Sequence, residues 1–165
     1  AARGAEVTVG PVPAPDLVLA SFARAADAER LDDLVVDDVP HLVLVTSEQG
    51  YRIGPLVIPG RTACERCAAL AEADADPYSP LDRLAAASWP SPPVRPLALH
   101  RAVLAAADIV LAHLDAPRGG AGVRGTILDI DAHGGANARP LVAHPRCGCG
   151  ADGPSFASPW SPPPP

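Results

Sequence analysis

Two pairs of cysteines, far apart in the chain, constrain its fold more than any other feature. Cys64 and Cys67 follow the apolar run "IGPLVIPG" at the start of a helix-like segment, and Cys147 and Cys149 lie in "HPRCGCG"; the chain has no other cysteines. A close pair of thiols can reach one ion from a tight turn, and two such pairs complete the tetrahedral four-thiolate shell of structural zinc, with zinc–sulfur distances of about 2.3 Å. The spacing therefore predicts one structural zinc ion bound by Cys64, Cys67, Cys147 and Cys149.

Other uses of these thiols stay open on the sequence. Two disulfides would require an oxidising compartment, and the first residues do not form a signal peptide. A redox-active Cys-x-x-Cys pair would leave the second pair unexplained. His144 could replace one cysteine as a ligand, while Arg61, Arg66 and Arg146 flank the cysteines and could offset the negative charge of four thiolates. A full thiolate shell has no open position, so the predicted metal is structural and not catalytic.

Short apolar runs in the first third of the chain are typical of buried strands. The runs "PDLVLASF", "HLVLVTS" and "YRIGPLVI" qualify, and a segment with one apolar face, typical of an amphipathic helix, separates the first two. This strand–helix–strand order favours parallel pairing and an α/β fold. Pro55 predicts that the third strand lies at an edge or is interrupted, because proline cannot donate to a strand ladder. We therefore expect strands at Pro15–Phe22, His41–Ser47 and Tyr51–Ile58, and a helix at Arg24–Asp38.

The second half combines a proline-rich stretch, a long apolar helix and a hairpin. The helix is apolar on nearly every side except for a stripe of Arg101, Asp108 and Asp115, so it is expected to be buried against a sheet or partly by a second subunit. The hairpin turns at "HGGAN", whose glycines permit positive φ. Asp129 and Asp131 alternate along its first strand and indicate a solvated strand face. The predicted elements are a loop at Asp74–Pro96, a helix at Leu97–Asp115 and strands at Gly122–Asp131 and Ala138–His144.

Composition and the chain ends suggest further expectations. The tail "GPSFASPWSPPPP" is too rich in proline to pack, so we expect one domain at residues 1–150 and a disordered tail at 151–165. The chain has no methionine and no signal peptide, which indicates a piece of a longer, cytoplasmic protein. The net charge of −6 argues against nucleic acid as a partner, and the charges inside the apolar helix argue against a membrane span.

The order of these segments resembles the C-terminal half of ThiF/MoeB-like proteins, which are relatives of ubiquitin-activating enzymes. The resemblance rests on "GPLVIPGRTACERCAAL", "LALHRAVLAAADIVLAHL", "VRGTILDID" and "HPRCGCG". The segments "VPHLVLV", "GPLVIPGRTACERCAAL" and "HPRCGCG" look most like the subfamily that partners YcaO-type cyclodehydratases. Such partners help to convert Cys, Ser and Thr of ribosomal peptides into thiazolines and oxazolines. The resemblance covers about Pro15 to Gly150 and implies part of a Rossmann-like α/β domain with a structural zinc knuckle.

This chain departs from the adenylating members of that family. It has no glycine-rich strand–turn–helix for the phosphates of ATP, and all of its basic residues are arginine. Ser21, Phe22, Ala23 and Arg24 occupy the strand end where the family usually has an Asp-Asn pair that helps hold magnesium. No nucleophilic cysteine lies in the crossover between the two cysteine pairs. We therefore predict that this chain alone neither binds ATP tightly nor adenylates a carboxylate, and it offers no catalytic or cofactor-binding residue.

Three functions remain as hypotheses. The first is a non-catalytic scaffold and peptide-binding partner of a YcaO-type cyclodehydratase in bacteriocin-like peptide biosynthesis, because the resemblance implies partners that bind the leader of a precursor peptide. The second is a ThiF-type adenylyltransferase whose nucleotide-binding half is absent from this chain. The third is a zinc-stabilised interaction module. The resemblance also implies a homodimer for the full-length protein, or pairing with the YcaO-type enzyme.

Overall fold

The computed structural model describes residues 7–10, 13–115 and 125–151, and these form the mixed α/β fold that the sequence predicts. Of the predicted disordered tail, only Ala151 lies within the described residues. The described residues form five strands and four helices. They are β1 (Val18–Ala23), α1 (Ala28–Val36), β2 (His41–Thr46), β3 (Gly50–Val57), α2 (Glu65–Ala75), α3 (Ser79–Ala87), α4 (Pro96–Asp115), β4 (Thr126–Asp131) and β5 (Ala136–Pro140).

The five strands form one sheet whose spatial order is the chain order, β1-β2-β3-β4-β5. β1 and β2 are parallel and are joined by α1, as the strand–helix–strand order predicts. The other three pairs are antiparallel, including the β4–β5 hairpin. This hairpin turns at residues 132–135, so Ala136 and Asn137 of the expected "HGGAN" turn belong to β5, which spans Ala136–Pro140 and not the expected Ala138–His144. The carboxyl ends of β1, β2 and β4 therefore meet at one end of the sheet, beside the amino end of β3.

β3 lies in the middle of this sheet, so the expectation that Pro55 marks an edge is wrong, whereas the expected interruption is present. The pairing of β2 with β3 shifts register between Leu42 and Leu44, beside Gly54 and Pro55. A bulge can hold a proline because the ladder is already interrupted there. Gly54 has φ 99°, and a Cβ atom on it would lie 2.6 Å from the carbonyl oxygen of Thr126 on β4. Only glycine suits this conformation and this close approach.

The side chains of β2 alternate between two apolar layers. Val43 and Val45 pack with Leu31 of α1 on one face of the sheet, and Leu42 joins a cluster with α4. β2 is therefore covered on both faces, as the unbroken apolar run predicts. β1 differs, because its residues alternate between half-buried and exposed, and Leu19 is 51% exposed. The burial expected for this strand is therefore only partial among the described residues, where β2 is its one paired neighbour.

α4 packs on the sheet through three small side chains, Ala98, Ala102 and Ala106, which join the apolar cluster of β3 and β4. Alanine at these positions lets the helix backbone approach the strands closely. By length and composition alone α4 could cross a membrane, since its mean hydropathy reaches 1.6 over 18 residues. Its alanine face packs against the sheet, as expected, whereas its large aliphatic side chains, such as Leu97 and Leu104, are exposed.

The expectation of a loop at Asp74–Pro96 is wrong over much of that stretch, because it contains the end of α2 and all of α3. Pro80 lies in the first turn of α3, where a missing N–H group is tolerated. The following "LDRLAAA" consists largely of good helix formers. α3 packs against α2, which matters for the site described next.

Candidate metal centre and neighbouring cleft

The start of α2 positions the first cysteine pair. Cys64 is the N-cap residue of α2, and its carbonyl accepts the N–H of Cys67 at 3.0 Å, so the two side chains lie one turn apart on the same side. The second pair lies in the loop after β5. There the N–H of Cys147 donates to the carbonyl of His144 at 2.9 Å, and this tight turn directs Cys147 and Cys149 toward α2.

The structure brings all four cysteines together, with every sulfur within 4.8 Å of the others. The Sγ–Sγ distances are 3.6 Å for Cys64 and Cys147, 3.7 Å for Cys67 and Cys149, and 3.9 Å for Cys64 and Cys67. Four sulfurs around one tetrahedral zinc ion at about 2.3 Å would lie about 3.8 Å apart. All four are free thiols, the first pair buried and the second half-buried. An all-sulfur set at these distances fits a zinc-type ion.

Hydrogen bonds to Cys67 favour its thiolate form. The thiol of Cys64 contributes most, and the backbone N–H of His144 donates to the same sulfur at 3.3 Å, so the pKa of Cys67 falls to about 4. The same thiol pair, together with burial, raises the pKa of Cys64. Burial is also the main reason that the pKa of Cys147 rises to about 11. Without a metal ion the favoured thiolate of Cys67 therefore lies beside the protonated thiols of Cys64 and Cys147, and a cation could replace their protons.

Three of the charged side chains around the cysteines, those of His144, Arg146 and Arg66, pair with carboxylates. The His144 ring shares a hydrogen bond with Asp74 at 2.9 Å through Nε2, and Arg146 forms an ion pair with the same carboxylate. Arg66 pairs with Asp32 at 3.6 Å on the exposed side of α1 and α2. His144 thus contacts the cysteine cluster through its backbone N–H, which donates to Cys67 Sγ. Its ring nitrogens are not among the grouped atoms that could bind the metal ion.

Glu65, beside the first cysteine, is a buried carboxylate that the sequence analysis missed. Its side chain is 2% exposed, and Oε1 accepts from Arg52 at 2.8 Å and from Arg83 at 2.6 Å. Arg83 also pairs with Glu72 at 2.7 Å. Burial alone would lower the pKa of Arg83, but the two glutamates more than offset this effect and raise it. These ion pairs join β3, α2 and α3.

A cleft of about 580 Å³ opens next to this ion-pair network. It lies at the carboxyl ends of β1, β2 and β4, the place where open α/β sheets commonly bind ligands. Glu72 links the two features, because it lines the cleft from α2, the helix that also carries Cys67. The charged side chains that line the cleft are Arg24, Arg52, Glu72, Arg83, Asp129 and Asp131.

The two aspartates of β4 occupy different surroundings in this cleft. Asp129 pairs with Arg139 at 3.0 Å. Asp131 is exposed and accepts the N–H groups of His133 and Gly135 in the hairpin turn, which lower its pKa. Asp131 thus fits the expected solvated strand face, whereas Asp129 belongs to an ion pair.

Arg24, just beyond β1, closes the other side of the cleft. It pairs with Glu48, donates through Nε to the carbonyl of Pro90 at 2.6 Å and lies 5.3 Å from the ring centre of Trp89. The residue has φ 68°, in the left-handed region. The sequence analysis singles out Arg24 only because it lies at the strand end where the resembled family usually has an Asp-Asn pair. Its role in the cleft could not be predicted, because its partners come from distant loops.

No protein-family profile and no curated protein matches this chain. Among solved structures, MccB of E. coli is similar with 17% identity and a TM-score of 0.58, over 86% of this chain and 41% of MccB. The heterocyclase TruD is similar with 21% identity and a TM-score of 0.58, over 83% of this chain and 22% of TruD. A heterocyclase in complex with substrate and cofactor has 16% identity and a TM-score of 0.63, over 89% of this chain and 21% of that protein.

These similarities show a shared fold. They agree with the α/β fold class that the sequence resemblance implies. The chain spans about two fifths of MccB and about a fifth of the two heterocyclases. What the whole proteins do is therefore carried to this chain only as a proposal.

Proposed function

We propose that this chain is a non-catalytic, zinc-stabilised scaffold that binds a precursor peptide and partners a YcaO-type cyclodehydratase in thiazole- and oxazole-forming peptide biosynthesis. The observation that carries the proposal is the cleft at the carboxyl ends of β1 and β2. The fold shared with two heterocyclases and with MccB supports the same biosynthetic setting.

The charges of the cleft favour a peptide over a nucleotide. The three arginines that line it, Arg24, Arg52 and Arg83, are each already paired with a glutamate. Asp129 is likewise paired with Arg139, and Asp131 adds negative charge. A triphosphate would meet no cluster of unpaired cations there. A peptide carries mostly neutral amide groups, with few charges, and can exchange hydrogen bonds with such a balanced surface.

In this proposal zinc is bound by Cys64, Cys67, Cys147 and Cys149, and its role is structural. The metal supplies a rigid link between the start of α2 and the loop after β5. Because α2 also contributes Glu72 to the cleft, a fixed α2 keeps one wall of the cleft in place. No chemical step is assigned to the metal.

A selection from a random peptide display library tests the binding function without knowledge of the natural peptide. Peptides enriched on the 165-residue chain are measured by fluorescence polarisation. We expect Asn137→Trp, which fills the cleft from β5, to weaken binding at least tenfold, and Arg30→Glu on exposed α1 to leave it unchanged. Calorimetry with magnesium and ATP should show no binding tighter than about 100 μM. Equal peptide binding by Asn137→Trp and wild type contradicts the assignment of the cleft.

Metal analysis of the purified chain tests the zinc assignment separately. We expect one zinc per chain in the wild type and in Ala143→Ser, a matched change in the same loop, and reduced zinc with a loss of stability in Cys147→Ser. Structural zinc contributes on the order of 10 kcal/mol of binding free energy in small modules, so the loss should be large. Full zinc retention by Cys147→Ser contradicts the four-cysteine site.

An ATP-dependent adenylyltransferase, acting with a nucleotide-binding half absent from this chain, is the second candidate. It is favoured by the similarity to MccB, of which structures with ATP and with MccA exist. Micromolar binding of ATP with magnesium to the chain would favour this candidate over the scaffold.

A further inference from the structure

Two buried polar atoms between the sheet and α2 have no hydrogen-bond partner among the described residues. They are Nε2 of His41, a fully buried residue at the start of β2, and Oε2 of Glu65, which is 2% exposed at the start of α2. An unpaired buried polar atom is costly, and native proteins pair nearly all such atoms with protein groups or with ordered water. The two atoms therefore require a partner that the protein itself does not supply.

The hydrogen bonds of these two side chains make both unpaired atoms acceptors. Nδ1 of His41 lies 2.9 Å from the carbonyl oxygen of Val39, which can only accept, so Nδ1 carries the ring proton. Burial lowers the pKa of His41, so its ring is neutral and Nε2 has a lone pair. Glu65 pairs through Oε1 with the guanidinium groups of Arg52 and Arg83, and the second oxygen of such a carboxylate also accepts. Neither unpaired atom can donate to the other.

The strand pairing directs His41 toward the start of α2. His41 pairs with Val57 of β3, and directly opposed residues of an antiparallel pair point to the same face of the sheet. On that face Val57 packs with Cys64 and Ala68 of α2. The negative charge of Glu65 acts on the His41 ring and partly offsets the effect of burial on its pKa. His41 and Glu65 thus belong to one buried layer.

We infer that one water molecule is bound between His41 Nε2 and Glu65 Oε2 and donates a hydrogen to each. Water fits this pair of acceptors because it carries two donors. Its oxygen remains free to accept from Nε of Arg52, a buried donor without a partner on the guanidinium that pairs with Glu65. Buried waters typically make about three hydrogen bonds to groups of this kind. This inference goes beyond the proposed peptide-binding function and does not depend on it.

The charges of this layer favour water over a metal ion. A carboxylate oxygen and an imidazole nitrogen are also common metal ligands, but Arg52 and Arg83 already bring two positive charges to Glu65. A further cation beside them would be repelled. Because Arg52 and Arg83 also line the cleft, a water that fixes Glu65 supports that wall of the cleft from inside the protein.

A high-resolution crystal structure of the 165-residue chain tests the water site directly. We expect one water oxygen within about 3 Å of both His41 Nε2 and Glu65 Oε2. We expect it to be lost in His41→Phe, which keeps an aromatic ring but has no nitrogen. Absence of this water from the wild type, a direct hydrogen bond between the two side chains, or anomalous scattering from a metal ion at this place overturns the inference. Retention of the water by the folded variant overturns it too.

NMR of the histidine rings tests the site in solution and requires no variant. Near neutral pH we expect a proton on Nδ1 of His41, none on Nε2, and cross-relaxation between the ring protons and a long-lived water. His100 is the matched control, because its Nδ1 lies 2.8 Å from the carbonyl oxygen of Pro96 but its ring is exposed on α4, so no long-lived water is expected there. A proton on Nε2 of His41, or no long-lived water at its ring, overturns the inference.

Discussion

Replacement of Glu65 by glutamine should destabilise the protein strongly, because this carboxylate neutralises two largely buried guanidinium groups. Glu65 is 2% exposed, and its partners Arg52 and Arg83 are 13% and 23% exposed. Breaking a buried ion pair costs about 3–5 kcal/mol, because the remaining charge stays buried. Glutamine keeps one oxygen acceptor, and Glu72 still pairs with Arg83. We therefore expect a loss near the lower end, about 3 kcal/mol.

Urea unfolding followed by circular dichroism measures this loss. With a slope of about 2 kcal/mol per molar urea, 3 kcal/mol lowers the unfolding midpoint by about 1.5 M. Glu29→Gln, at an exposed position in the first turn of α1, is the matched control and should cost less than about 1 kcal/mol. Zinc content must be equal in both variants, since Glu65 adjoins the first cysteine. A midpoint within about 0.5 M of the wild type, at an unchanged slope, would refute the reasoning.

Three other perturbations have outcomes set by the structure. Removal of metal by a strong chelator should lower the thermal midpoint by about 10 °C or more, and zinc but not magnesium should restore it in calorimetry. His41 is fully buried, and burial lowers its pKa. Near pH 6.5 the unfolded chain takes up a proton at this histidine and the folded chain does not, so the stability of the fold should decrease as the pH drops below that value. An NMR titration midpoint for His41 at or above about pH 6.5 would contradict this. Gly54→Ala should cost about 2 kcal/mol or more in urea unfolding, because its Cβ would contact β4, whereas Gly60→Ala, with φ 66° and open space around it, should cost only about 1 kcal/mol.

The apolar runs were sufficient to predict β1, β2, β3 and the long helix, because burial of a short run depends on local pattern. β5 is largely exposed and begins two residues before its expected start at Ala138. β2 begins at His41, where the expected strand begins, and α4 begins one residue before its expected start at Leu97. α3 was missed since proline weighs against a helix unless its place in the first turn is known. The central place of β3 was missed because a bulge opposite a proline depends on the partner strand, which local sequence does not reveal.

The candidate site was predictable only where residue type fixes chemistry. Four cysteines in two close pairs have few uses, so their proximity followed from the sequence. Glu65 and Arg83 are ordinary charged residues by sequence, and only the packing of α3 on α2 buries them together. The cleft likewise depends on strand ends from distant segments, so its lining did not follow from any local pattern.

The strand order has a consequence for how this chain assembles during synthesis. β1, α1, β2 and β3 contact one another through short connections, so this unit can form while the rest of the chain is still being made. β4 reaches β3 only after α2, α3 and α4 have been made. That single closure also brings the late cysteine pair to Cys64 and Cys67. A metal ion bound by all four sulfurs therefore binds only after β4 has paired with β3, the step that we expect to be slow. Metal binding should thus slow the unfolding of the finished protein and leave its folding rate nearly unchanged.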